Sequence, residues 1–175
     1  MLRKSRHAQM HTLVFVYGEM RVGRTLHRVL KRAVPLGVAR THPSYGLFDM
    51  DEFPAMVAGG TTAVTGELWR ANRRTLDAID ALEGHPEFFV RDEVRLEDGR
   101  TALAWLLHPH RREWATACVD SGDWLADANR QTSGALVAGR GGDAAPTATK
   151  LRDRTPLERP VRPPVVRRHL VHGLG

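Results

Sequence analysis

Apolar residues come in short blocks along the first 129 positions, and their spacing changes from block to block. Residues 12–17 (TLVFVY) are almost continuously apolar and rich in β-branched and aromatic side chains, which predicts a strand covered on both faces. Residues 18–23 read as a loop. Leu26, Val29 and Leu30 then fall at helical spacing and predict a helix over 25–32. A strand is expected over 34–41, weakened by Pro35 and Gly37, with short extended pieces at 44–48 and 53–57 and a further strand at 63–69. Residues 72–83 carry the clearest helical period and stop at Gly84 and Pro86. Residues 88–96 and 101–107 predict a hairpin turning at Asp98-Gly99, and 111–119 close the series as a short helix or strand. Many strands with a few scattered helices place the chain in the α+β class.

One residue breaks the apolar pattern. With Leu76 at zero and about 100° per residue, Ile79 lies near −60°, Asp80 near +40° and Glu83 near −20°. Glu83 thus projects from the middle of the apolar stripe, where an uncompensated carboxylate is costly. Burial and the negative end of the helix dipole both favour its protonated form, which suits a group that takes and returns a proton near neutral pH. The alternative is a frayed helix end that turns Glu83 to water or to an arginine.

The loop after the first strand, Tyr17-Gly18-Glu19-Met20-Arg21-Val22-Gly23, is the second candidate. A turn between a strand and a helix can aim several backbone N–H groups at one point and so hold a carboxylate or an oxyanion. Glycine at 18 permits a positive φ and a close approach. The spacing fits neither the P-loop nor the dinucleotide fingerprint. An ordinary strand-to-helix turn is the other reading.

Composition narrows the classes. The net charge of +6 invites a nucleic-acid partner, but residues 1–129 balance and the whole excess lies in 130–175. All the Trp, Tyr and Phe precede position 129, so the Gly-, Pro- and Arg-rich tail lacks interleaved aromatics for base stacking. These contrasts predict a flexible start (1–10), one domain (11–129) and a disordered basic tail (130–175). Nucleic-acid binding is not the expected role. No apolar run approaches the roughly 20 residues of a membrane helix, and the apolar stretch behind the basic N-terminus is too short for a signal-peptide core. A cytoplasmic location is expected. The single Cys118 excludes an internal disulfide and multi-cysteine metal sites; a small buried residue or a nucleophile are its two readings.

Several segments then line up in one order. They are Phe15 to His27 (F-V-Y-G-x-x-R-x-G-x-x-x-H), Tyr45 to Asp49 (Y-x-L-x-D), Phe53 to Ala55, Val64 to Leu68 (V-x-G-E-L), Leu76 to Gly84 (L-D-x-x-x-x-x-E-G), Phe89 to Arg91 and Ala102 to Leu107. The set resembles the gamma-glutamylcyclotransferase-like family, which includes the gamma-glutamylamine cyclotransferases and AIG2-like proteins. Ser121-Gly122-Asp123-Trp124 is also similar to a segment of members that act in aminoglycoside antibiotic biosynthesis. The resemblance implies a small mixed β-barrel with flanking helices. It implies a cavity lined by Tyr17, Gly18, Glu19 and Met20, and a catalytic Glu83. The implied activity is cyclisation of a gamma-glutamyl amine to 5-oxoproline with release of the amine, without metal or other cofactor. The partner is a small gamma-glutamyl compound. A non-catalytic domain of the same fold that binds a metabolite or a protein is the rival. Glu19 departs from the family's usual small hydroxyl residue, and Phe88-Phe89 and Leu107 stand in regions where tyrosine is common. His27 binds substrate or holds the structure, Arg91 pairs with a carboxylate or meets water, and His108 and His110 ligate a metal only if other ligands converge. Oligomeric state is not legible in the sequence.

Overall fold

The computed structural model describes residues 11–127. The expected flexible start and basic tail fall on residues outside that range.

β1 (Thr12–Val16) sits in the middle of a five-stranded sheet with β2 (Val34–Arg40), β5 (Thr65–Ala71), β6 (Phe89–Arg95) and β7 (Thr101–Leu107), in the order β2-β5-β1-β7-β6. β1 runs parallel to β7 and antiparallel to β5, so the sheet is mixed. The sheet curls until its two outer strands meet, where Thr41 bridges Leu96. The amide of His42 donates to Arg95 O and that of Glu97 to Arg40 O on either side of the bridge. This is the small barrel expected from the sequence. A second sheet, β4 (Pro54–Ala58), β3 (Tyr45–Asp49) and the two-residue β8 (Ala117–Cys118), packs against it.

The continuous apolar run of β1 follows from its position. Val14 and Val16 face one apolar cluster with Trp69, Leu76, Ile79, Phe89 and Trp105. Phe15 and Tyr17 face the other, with Tyr45, Leu47, Met56, Leu68 and Ala104. Successive strand residues point to opposite faces, and both faces here are covered.

α1 (Arg73–Glu83) packs its apolar stripe on the first cluster. Its start is capped by the Asn72 side chain, which accepts the Thr75 amide at 3.0 Å, a contact worth about 1 kcal/mol. Its end is set by Gly84 in the left-handed region, φ 61°. The hairpin turns at Asp98-Gly99 as its sequence requires.

Two expectations need correction. The helix expected over 25–32 is a tighter 3-10 turn, His27–Leu30, because the amides of His27, Val29, Lys31 and Ala33 reach the carbonyls three residues back and the Leu26 amide goes to Glu19 O. The final element is both alternatives in series, a 3-10 turn at Pro109–Trp114 and then β8. Pro35 and Gly37 mark a bulge in β2, an outer strand where a missing amide is tolerated. No helix among the described residues is long and apolar enough to cross a membrane.

Candidate active site

Glu83 ends α1 on the buried side of the helix, beside Leu82 and one turn after Ile79. It is 4% exposed and is the one buried carboxylate among the described residues. It lines a narrow cleft with Tyr17, Glu19, Met20, Phe53, Pro54, Phe89 and Trp105. The cleft encloses about 10 Å³, room for one water.

The loop forms part of the wall through Tyr17, Glu19 and Met20, whereas Gly18 is not among the residues that line the cleft. Gly18–Met20 is one 3-10 turn. The opening amides of such a turn have no acceptor within it, by construction. Gly18 has φ 73°, and a Cβ there would run into the Pro54 ring, so only glycine lets the β3–β4 hairpin close on the turn. Tyr17 turns its ring into the cleft while its hydroxyl donates to Trp105 O at 2.5 Å and accepts from the Met56 amide at 3.1 Å. That hydroxyl therefore ties β7 to β4.

Glu19 stands where a negative charge would oppose an anionic substrate. Its carboxylate is engaged elsewhere, accepting from Arg24 Nε at 3.0 Å and from the Thr25 hydroxyl at 2.5 Å. Burial works against its charged form, but the bonds from Thr25 and Arg24 outweigh it and hold its carboxyl below the usual range. Met20 is buried, and His27 Nδ1 lies 3.2 Å from its carbonyl oxygen. The His27 ring packs on Trp69 at 5.3 Å, so His27 props the loop from behind.

A second set of contacts clamps the loop and was not legible in the sequence. Arg21 pairs with Asp123 at 2.8 Å and lies 3.7 Å from Glu67. Glu67 also accepts the Val22 amide at 3.0 Å and Trp69 Nε1 at 3.2 Å. Asp123 in turn caps the turn after it through the Leu125 amide, and Trp124 Nε1 donates to Asp49 at 3.0 Å. The Ser121-Gly122-Asp123-Trp124 segment thus braces the loop and β3. Phe53, Pro54, Phe89 and Trp105 complete the cleft walls. From the sequence, Trp105 is expected in the core or in a cavity wall as a strand tryptophan, whereas Phe53, Pro54 and Phe89 are motif or strand residues only, because nothing local says that separate strands converge on α1.

Arg91 pairs with a carboxylate, Asp80, at 2.6 Å, and Trp105 Nε1 donates to the other Asp80 oxygen at 3.0 Å. Cys118 is exposed rather than buried, and its Sγ donates to Asp120 at 3.0 Å. His108 and His110 stack at 5.0 Å. Among the described residues no group of three His, Cys, Asp or Glu converges on one point.

Comparison with known proteins places the chain in a family. The family model "Gamma-glutamyl cyclotransferase, AIG2-like" matches residues 14–126. A Vibrio cholerae protein, provisionally named a gamma-glutamylcyclotransferase, is 35% identical over 115 residues, covering 66% of this chain and 96% of its own. The solution structure of ytfP from Escherichia coli superposes with a TM-score of 0.52 at 26% identity, covering 66% of this chain and 98% of that one. The crystal structure of a mouse AIG2-like protein shares the fold, with a TM-score of 0.53 at 23% identity over 61% of this chain and 84% of that one. The family match over residues 14–126, more than half of the chain, makes this protein a member of the gamma-glutamyl cyclotransferase, AIG2-like family.

Proposed function

We propose that the protein cyclises the gamma-glutamyl group of a gamma-glutamyl amine to 5-oxoproline and releases the free amine. The observation that carries this reading is Glu83, a buried carboxyl in the wall of a narrow cleft that Glu19 and Met20 of the 3-10 turn also line.

In such a substrate the α-nitrogen already lies a five-membered ring away from the gamma-carbonyl. Ring closure is intramolecular, so the protein needs to fold the substrate and move protons. Glu83 accepts a proton from the α-ammonium. The freed amine attacks the gamma-carbon, the bond to the amine nitrogen breaks, and Glu83 returns a proton to that leaving nitrogen. The lactam keeps a single hydrogen on its nitrogen, and the remaining protons leave with the amine as its ammonium form. The amides of the Gly18–Met20 turn hold an anionic oxygen, either the substrate's α-carboxylate or the developing oxyanion. Glu19 leaves that place free because its charge is paired with Arg24 and Thr25. No step calls for a metal or a redox group.

Apart from Glu19, the walls around Glu83 are apolar or aromatic, and the cleft has room for about one water. Met20, Phe53 and Pro54 must therefore yield when substrate enters. The amine is not fixed by these walls, and the likeness of residues 121–124 to antibiotic-pathway members makes an aminoglycoside amine one member of the test panel. Incubation with a panel of gamma-glutamyl amines, followed by mass spectrometry, is expected to give 5-oxoproline and free amine in equal amounts. Tight binding without either product would instead favour a metabolite-binding domain.

A further inference from the structure

Asp80 precedes Glu83 by three residues, so the two side chains leave neighbouring turns of α1 on adjoining faces, with Cβ atoms about 5–6 Å apart. Asp80 is clasped from two strands. Arg91 of β6 binds one carboxylate oxygen at 2.6 Å and Trp105 of β7 donates its indole N–H to the other at 3.0 Å. Trp105 is also a wall of the Glu83 cleft, and its carbonyl accepts the Tyr17 hydroxyl from the facing wall. The Arg91 amide is fixed in turn by His85 Nδ1 at 3.0 Å. One carboxylate therefore joins the last turn of the helix to both strands behind the cleft.

We propose that Asp80 and Arg91 are a positioning pair, which holds Trp105 against Glu83 and balances the charge beside Glu83 so that its proton is neither too loose nor too tight. The idea rests on Glu83 as the acid/base of the proposed function. The charged and polar groups of the other elements around the cleft are these. Glu19, from the 3-10 turn, is matched by Arg24 and Thr25. Tyr17 of β1 contributes a hydroxyl bound to backbone on both sides. Phe53, Pro54 and Phe89 bring no charge. His85 touches the pair through the Arg91 amide.

Charge arithmetic gives the pair a signature that packing alone lacks. Asp80→Asn keeps an oxygen for the Trp105 indole but leaves Arg91 as an unmatched cation, which favours the Glu83 anion. Arg91→Gln leaves an unmatched Asp80 anion, which disfavours it. At this separation each effect is worth about half to one pH unit. The test is titration of the Glu83 carboxyl by carbon-13 NMR in the folded protein, alongside the pH dependence of kcat. The midpoint is expected to fall in Asp80→Asn, to rise in Arg91→Gln, and to return close to wild type in the double variant. Arg91→Lys keeps the cation and should stay near the wild-type midpoint, which keeps the test decisive if a single variant does not fold. Midpoints that stay put, or move the same way in both single variants, overturn the proposal. The NMR titration reads the pair whether or not the protein turns over. If the midpoints split as expected while no 5-oxoproline forms, it is the proposed activity that has failed.

Discussion

Two concave surfaces share the same strands and differ in almost everything else. β6 and β7 send alternate side chains to opposite sides, so Phe89 and Trp105 wall the cleft while Val90 and Leu106 wall a groove on the other side. β4 contributes to both surfaces from its two ends, with Pro54 at the cleft and Val57 and Ala58 at the groove. The groove encloses about 550 Å³ and the cleft about 10 Å³. By size alone the groove is the ligand site. Its polar members argue otherwise. Asp92 and Arg112 are exposed, Arg112 lies over the Phe48 ring at 4.6 Å, and His108 Nδ1 accepts the His110 amide. The cleft instead spends a buried carboxylate, a glycine with a positive φ and a layer of braced side chains on a space one water fills. Features that are costly to fold and aimed at one point locate chemistry better than volume does.

That contrast can be broken in several ways, beginning with the largest effect. Glu83→Gln is expected to lower turnover by about a thousand-fold or more, with the thermal unfolding midpoint close to wild type, since the amide keeps the size and polarity of the side chain. Rate and melting curve measured on the same sample check both halves. Gly18→Ala should destabilise the protein by about 1–3 kcal/mol, because the new Cβ meets Pro54 at a φ that disfavours it; chemical denaturation reads the loss. Glu19→Gln should have a smaller, pH-dependent cost. The Glu19 carboxyl sits below its ordinary value of 4.5, so its contribution is fully present above that pH and is lost as pH falls through the lowered value. The stability gap between wild type and variant should therefore close on acidification. Smallest of all, Ala58→Leu narrows the groove and is expected to change turnover by less than about two-fold.

Much of the cleft was legible before the fold was known, and the reason is local. Glu83 is marked by its phase in the helical period, and Gly18 by its place between a buried strand and a turn. Both signals live within a dozen residues of sequence. The braces were not legible. Arg21 with Asp123, Asp80 with Trp105 and Tyr17 with Met56 join positions whose separation along the chain carries no period. The same holds for barrel closure, which depends on one bridge between Thr41 and Leu96. The segment at 25–32 misled for the opposite reason. Its apolar spacing suits a helix, but the Leu26 amide is taken by Glu19 O across the loop, and only a tighter turn remains.

The most direct test is to see where a substrate lies. The Glu83→Gln protein, crystallised with a gamma-glutamyl amine, should hold the gamma-carbonyl and the α-nitrogen against residue 83, with an anionic oxygen on the Gly18–Met20 amides and with Phe53 and Pro54 displaced. A ligand seated in the groove between β4 and β6, with the cleft still shut, would contradict the account.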